Sequence, residues 1–267
     1  MKKDRFYVSW ILVIIMFLSY LVPLGIPVTI RDPTREVYQF LNTLPADSKP
    51  LLLSLDFTAG GSPEIRPSMM AVVKHAISRG LKFVVIGIGT DESTALMQSL
   101  FDDSGVEDTY EYGVDYVGIG YIPGGEITVA ALAQDFSSVV ETDAYGNKVS
   151  DLALTKDIKD WKDFSAVIPF DSAGVHMFWV RNWTPYDIPY YGSFTAGSEP
   201  RYVAFYNSGD IDGYMAGLRG GAEYEILTGF LSTGVKSMDM QSLTHLYAFV
   251  VLVAGNVVLY VFKKEGK

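Results

Sequence analysis

The sequence predicts an α/β domain with a doubly wound, mostly parallel sheet of five or more strands, flanked by two transmembrane helices. Short runs that are apolar throughout alternate with segments of helical periodicity, long uncharged stretches lie near both chain ends, and 49% of the 267 residues are hydrophobic. Strands that are apolar on both faces belong to parallel sheets covered by helices on each side. A Rossmann- or flavodoxin-like arrangement is the expected fold.

The first apolar stretch, Phe6–Ile30, contains 25 residues without a charge. A helix needs roughly 20 residues to cross a bilayer core. A cleaved signal peptide is the alternative, because basic residues precede the stretch. No alanine occurs before Ala46, so the small-residue cleavage site of such peptides is missing. We therefore expect residues 1–30 to form a retained transmembrane helix with a short cytoplasmic tail.

The second apolar stretch, Leu243–Phe262, spans 20 residues that only His245 and Asn256 interrupt, and the basic sequence KKEGK follows it. Residues 243–267 are therefore expected to form a C-terminal transmembrane helix with a short tail. An asparagine inside a membrane is costly unless it faces protein. We expect Asn256 to form a hydrogen bond across a helix pair.

Basic residues cluster at the outer ends of both stretches, which predicts that both termini are cytoplasmic. These residues are Lys2, Lys3, Arg5, Lys263, Lys264 and Lys267. The expected protein is a two-pass protein of the inner (cell) membrane, in which residues 31–242 form an extracytoplasmic domain.

The region between the stretches is acidic. Residues 30–242 carry 15 Lys plus Arg and 29 Asp plus Glu, a net charge of −14. This charge argues against nucleic acid as a partner. The chain has no cysteine, which excludes disulfides, thiolate metal sites and a cysteine nucleophile.

The elements of the domain follow from hydrophobic periodicity and from turn residues. Strands are predicted at residues 51–57, 82–89, 114–122, 164–171 and 201–209, and helices at 63–80, 91–105, 125–142 and from 210 to 230. The polar interval Glu141–Asp160 is expected to be an exposed excursion. The aromatic passage His176–Phe194 lacks a clear periodicity and is expected to be a projecting loop.

Ligands of open parallel sheets bind outside the carboxyl ends of the strands. The residues predicted there form the candidate ligand edge, which comprises Asp56, Gly60, Gly61, Asp91, Glu126 and Asp171. Carboxylate oxygens suit Ca²⁺ or Mg²⁺, but acidic residues at these positions also cap helices. Both interpretations stay open, and the metal is left unassigned.

No cofactor and no catalytic residue is predicted. The segment GIGTDES lacks the third glycine of a dinucleotide fingerprint, and the chain contains neither a P-loop nor a G-x-S-x-G elbow. The aromatic passage combines arginine with residues that are enriched at protein interfaces. Its candidate interface residues are Trp179, Trp183, Tyr186, Tyr190 and Tyr191.

Part of the chain resembles a known family. It has a membrane span, then PVTIRDPTREVYQFLNTL, a strand, a glycine-containing loop, a helix that ends in SRGLK and the strand FVVIGIG. This order resembles the extracytoplasmic glutamine-amidotransferase-like domains of auxiliary proteins in gliding-type ABC transport systems. Such domains lack the amidotransferase nucleophile, so the resemblance implies a catalytically silent module that serves a membrane assembly.

We therefore expect a non-enzymatic, membrane-anchored scaffold or partner-binding subunit. Its expected partners are the lipid bilayer, further copies of itself and other membrane proteins. The alternative is a membrane-tethered enzyme or divalent-cation sensor that uses the candidate ligand edge.

Overall fold

The computed structural model describes the backbone of residues 2–22 and 24–265 and the side chains of residues 7–22 and 24–260. The described chain divides into two compact units. One is the domain Val28–Ser232. The other is the terminal unit, which lies within Met1–Pro27 and Thr233–Lys267.

The domain contains a six-stranded sheet in which every strand pair is parallel. The strands are β1 Leu51–Asp56, β2 Phe83–Gly87, β3 Tyr116–Tyr121, β4 Ala166–Asp171, β5 Tyr191–Phe194 and β6 Gly213–Ala216. Their spatial order is β3-β2-β1-β4-β5-β6, the order of a Rossmann-like sheet. The predicted α/β class and parallel sheet are confirmed, with six strands.

Helices cover both faces of the sheet. The helices of the domain are α2 Asp32–Thr43, α3 Ser62–Ser78, α4 Ser93–Ser104, α5 Glu126–Gln134, α6 Phe136–Val139, α7 His176–Trp183, α8 Glu199–Ser208 and α9 Gly217–Thr228. Along β1, Leu51, Leu53 and Leu55 pack into one core with α2, α3, α4 and α9, whereas Leu52 packs into the opposite core with α5 to α8. Burial on both faces explains why β1 is apolar over most of its length.

The predicted fifth strand, residues 201–209, is wrong, because these residues lie in α8. Pro200 stands in the first turn of α8, and Gly209 ends the helix with φ +85°, as proline and glycine commonly do. The actual β5 lies inside the aromatic passage. The helix predicted from residue 210 begins only at Gly217, because Gly213–Ala216 form β6.

The terminal unit consists of α1 Lys2–Leu21, the segment 24–27 that leads from α1 toward the domain and is called the strap, and α10 Thr233–Glu265. Among the described residues, one helix is long and apolar enough to cross a membrane. It covers Thr233–Tyr260 with a mean hydropathy of 1.8, and none of its apolar window is buried. The apolar part of α1, Tyr7–Leu21, is shorter, so a second span there stays a prediction.

Polar contacts join the parts of the terminal unit. Tyr247 Oη donates to the Val8 carbonyl oxygen at 2.6 Å and links α10 to α1. The buried Asp239 carboxylate accepts from Gly25 N at 2.8 Å and from Ile26 N at 2.9 Å. Gly25 has φ +63°, a conformation that glycine adopts without steric cost. The strap is thereby tied to the base of α10.

Candidate functional site

Asp56 and Asp171 end the two central strands, β1 and β4, and are direct register partners. The strand order reverses between these two strands. In doubly wound folds the ligand crevice lies outside this switch point. The sequence assigned both residues to the carboxyl edge of the sheet, and the structure places them beside each other there.

The Asp56 carboxylate lies in the protein interior and is fully engaged in hydrogen bonds. Its Oδ1 accepts from Ile88 N at 2.7 Å and from Gly89 N at 3.0 Å, and its Oδ2 accepts from the indole Nε1 of Trp179 at 3.0 Å. The side chain has no exposed surface. Burial raises the pKa of Asp56, against the opposing effect of the N–H donors. Asp56 thus ties β1 to the loop after β2 and to α7.

The Asp171 carboxylate likewise accepts backbone N–H groups, here from the loop that follows β4. Its Oδ1 accepts from Ala173 N at 2.8 Å and Gly174 N at 2.9 Å, and its Oδ2 accepts from His176 N at 3.0 Å. Burial, and then the neighbouring charge of Asp56, raise the pKa of Asp171 to about 6. The carboxylate holds the turn that leads from β4 into α7.

His176, the first residue of α7, is buried beneath this turn. Its Nδ1 lies 3.1 Å from Tyr190 Oη, and its ring packs edge-on against Tyr202 with a centroid distance of 4.3 Å. Burial lowers the pKa of His176 to about 3. The ring is therefore a neutral member of the core at neutral pH.

The glycine pair of the candidate ligand edge forms a close turn. A Cβ on Gly61 would lie 2.1 Å from Ser172 Oγ, so the loop after β1 contacts the loop after β4. Ser172 Oγ accepts from Thr58 N at 3.2 Å and adds a hydrogen bond between the two loops. Gly60 is exposed. The close approach of the two loops leaves no room for a side chain at position 61, which accounts for the glycine there without a bound ligand.

The other acidic candidates are not part of the switch-point pair. Asp91 is exposed, and the neighbouring Glu92 is the residue that accepts from Ala59 N, at 2.6 Å. Glu126 begins α5 and lies 3.4 Å from Arg181 Nη1. In the part of the chain that the structure describes, no group of three or more His, Asp or Glu side chains is placed to hold a metal ion.

The hydrogen-bond geometry bears directly on the cation alternative. A cation at Asp56 or Asp171 would meet the N–H donors that already point at the carboxylate oxygens. Metal binding by this pair would require these donors to be displaced. The arrangement suits a structural junction of loops better than a cation site.

The candidate interface residues lie mostly in the core, which corrects the expected projecting loop. Trp179, Trp183 and Tyr190 have no exposed surface, and Tyr191 is 7% exposed. The passage forms α7 and β5, which pack against the sheet. Only Tyr186 is partly exposed, and its ring stacks on Trp161 at 5.2 Å. The four buried aromatics are not available to a partner.

Asn256 lies on the exposed surface of α10, where its Nδ2 donates to the Leu252 carbonyl oxygen of the same helix at 2.8 Å. Among the described residues, Tyr247 forms a hydrogen bond that joins α10 to α1. Neither Tyr247 nor Asp239 was predicted from the sequence. An aspartate within a largely apolar C-terminal segment was the signal that could have identified Asp239.

A cavity of about 450 Å³ lies at the carboxyl end of β3, and the sequence analysis missed it as well. Its lining includes Thr94, Tyr121, Pro123 and the segment Val139–Ala144. It borders a strand at the edge of the sheet rather than the switch point. The available signal was the long irregular segment that forms one of its walls.

Two buried histidines predict how stability depends on pH. Burial lowers the pKa of His75 to about 4 and that of His176 to about 3. Stability from a neutral buried histidine is present above pH 6.5 and is lost as the pH falls, because only the unfolded chain takes up the proton. Between pH 7 and pH 5 we expect each to remove about 2 kcal/mol from the free energy of unfolding.

Asp171 acts in the opposite direction. Its raised pKa means that the folded state binds a proton first, so stability rises as the pH falls through 6 and returns about 1 kcal/mol by pH 5. Denaturant titrations at both pH values test the balance. His176→Gln should reduce the net loss of unfolding free energy between pH 7 and pH 5, and Asp171→Asn should increase that loss. If the free energy of unfolding changed equally between pH 7 and pH 5 in the two variants, the opposite roles given to His176 and Asp171 would be contradicted.

Comparisons with known proteins assign this chain to no family. No model of a protein family matches it, and no curated protein matches it. Among solved structures, it is similar to the translation initiation factor eIF-2B of Pyrococcus horikoshii OT3, with 10% identity and a TM-score of 0.31. The match covers 61% of this chain and 45% of that one, so the chain spans less than half of that structure. The fold assignment rests on the strand order and register described above.

Proposed function

We propose that this chain is a non-enzymatic scaffold or partner-binding subunit of an oligomeric inner-membrane assembly, with its Rossmann-like domain outside the cytoplasm. The observation that carries the proposal is the exposed apolar surface of α10. Leu252, for example, is 65% exposed and Leu259 is 70% exposed. The helix covers 28 residues at a mean hydropathy of 1.8, and none of its apolar window is buried, so it has the length and character of a membrane span.

The switch point supports a role without catalysis. Asp56 and Asp171 accept N–H donors on every carboxylate oxygen, and His176 is enclosed by Tyr190 and Tyr202. These groups are used in joining loops. A domain whose titratable groups at the switch point serve its own fold suits a platform for a partner. The resemblance to silent domains of transport assemblies points to a transport-associated partner.

The absence of native cysteine allows a sharp test of membrane placement. Ile127 in the domain is 82% exposed and Leu252 in α10 is 65% exposed, so both are apolar and accessible in the protein alone. In native membranes, a polar maleimide should label Ile127→Cys and should leave Leu252→Cys unlabelled until detergent is added, because a thiol in lipid does not ionise. Equal labelling of both before detergent would refute the membrane span.

Orientation and assembly need two further measurements. In intact cells, the maleimide should reach Ile127→Cys and should reach Lys264→Cys only after permeabilisation, since both termini are proposed to be cytoplasmic.

Native mass spectrometry of the chain extracted from its own membrane should show an oligomer or a bound membrane partner. A strict monomer without a partner would exclude the scaffold role while leaving the membrane anchor intact.

A further inference from the structure

A cavity of about 330 Å³ lies in the domain, next to the cavity at β3. We call it the connection cavity. Five of its lining residues are buried and form its floor, namely Phe136, Val140, Val149, Thr155 and Ile158. Six are exposed and form its rim, namely Ser137, Glu141, Thr142, Lys148, Ser150 and Lys156. The floor is apolar except for one threonine, whose Oγ1 donates to the Val149 carbonyl oxygen at 2.7 Å.

Most of this cavity is built by an unusually long connection. Between the end of α6 and the start of β4, residues 140–165 form only two short 3-10 turns and no α-helix. Irregular connections longer than about 12–15 residues are uncommon in compact domains and usually serve a function. This one was expected to be an exposed excursion, yet Val149 and Ile158 are each only 5% exposed.

The connection is held in place by hydrogen bonds within itself and by one from Tyr112. The buried Asp143 carboxylate accepts from Tyr112 Oη at 2.7 Å, from Asn147 N at 2.8 Å and from Tyr145 N at 2.9 Å. Val149 N donates to the Glu141 carbonyl oxygen at 3.1 Å. The cavity is therefore framed by a fixed loop, which lowers the entropy cost of binding a ligand.

The rim carries two lysines that are not paired with an acidic side chain among the described residues. Lys148 and Lys156 form no ion pair with any described residue. With Glu141 they give the lining a net charge of +1, in a chain whose net charge is −10. Two lysines on the rim of a cavity with an apolar floor match a ligand that has an anionic head and an apolar body.

We infer that the connection cavity binds a small amphiphilic carboxylate. The carboxylate lies between Lys148 and Lys156, and the apolar body lies on the floor formed by Phe136, Val149 and Ile158. The cavity is near the lower limit of ligand pockets, which suits a body of roughly four to eight carbons. A fatty acid and an apolar amino acid share this chemistry, and Glu141 offers the ammonium group of an amino acid a partner. The inference does not depend on membrane placement.

Isothermal titration calorimetry on the full chain in lipid nanodiscs tests the inference with three probes, hexanoate, leucine and hexylamine, each up to 20 mM. Saturable binding of hexanoate, of leucine or of both supports the carboxylate site. Hexanoate alone identifies the fatty acid as the source, and leucine alone identifies the amino acid. Binding of neither, or hexylamine binding as tightly as the carboxylates, overturns the inference.

Matched variants locate the site. The double variant Lys148→Gln/Lys156→Gln should weaken binding of the carboxylate at least tenfold, because both charge-assisted contacts are lost. Lys159→Gln is the control, since Lys159 is an exposed lysine of the same connection that does not line the cavity. It should change the affinity less than twofold. Equal weakening in both, with unchanged circular dichroism spectra, would show that the carboxylate binds elsewhere and would overturn the assignment.

Discussion

Replacing Asp56 with alanine is expected to lower the free energy of unfolding by about 3–4 kcal/mol. The substitution leaves Ile88 N, Gly89 N and the Trp179 indole without an acceptor, and each buried unpaired donor is costly. Relief of the buried charge offsets part of this loss. Urea unfolding of the full chain in mild detergent, followed by circular dichroism, measures the change.

Glu92→Ala is the matched control for Asp56→Ala. Glu92 also accepts a backbone N–H from a neighbouring loop, at 2.6 Å from Ala59 N, but it is exposed. Water replaces the lost acceptor there, so we expect a loss below about 1 kcal/mol. Similar losses in the two variants would contradict a special role for the buried carboxylate.

Asp56→Asn separates charge from shape at the same position. The amide oxygen can still accept from Ile88 N and Gly89 N, whereas the amide nitrogen faces the indole of Trp179 as a second donor. We expect a loss of stability smaller than that of Asp56→Ala. The pKa of Asp171 should also fall from about 6, because the charge of Asp56 is one cause of its increase. An unchanged pKa of Asp171 would exclude this coupling.

The first four strands could be located from the sequence because each is an apolar run of five or six residues. The last two could not. β5 and β6 contain only four residues each, YGSF and GYMA, and both include glycine, which weakens a strand signal. The segment RYVAFYNSG has the aromatic and β-branched residues that strands prefer. Tertiary packing nevertheless makes it helical, with Tyr202 buried against Phe194.

It could also be predicted that Asp56 and Asp171 lie on one edge of the sheet, because parallel strands bring their carboxyl ends together there. That the two residues are direct neighbours follows only from the strand order of the structure. Their role could not. The donors that reach Asp56 lie 32, 33 and 123 residues away along the chain. One of them belongs to Trp179, which the sequence analysis had assigned to a different, interfacial site. Local patterns locate the ends of elements, whereas partners of this kind depend on how the loops fold back over the sheet.

Trp183→Ala is expected to be as damaging as Asp56→Ala, at about 3–5 kcal/mol. The indole is fully buried, its Nε1 donates to the Val129 carbonyl oxygen at 2.9 Å, and its ring packs against Trp179 and Phe164. Removal would leave a large cavity where the ring packs against Trp179 and Phe164, and it would delete the hydrogen bond that joins α7 to α5. The same urea titration measures the loss.

Tyr186→Ala is the control that decides between core and interface within the aromatic passage. Tyr186 is partly exposed and stacks on Trp161, so its removal should cost about 1 kcal/mol or less. If α7 presented its aromatics to a partner, Trp183→Ala would keep its stability and lose the partner instead. A large loss of stability in Trp183→Ala beside a small one in Tyr186→Ala therefore assigns the indole to the core, where it supports the helix that donates to Asp56.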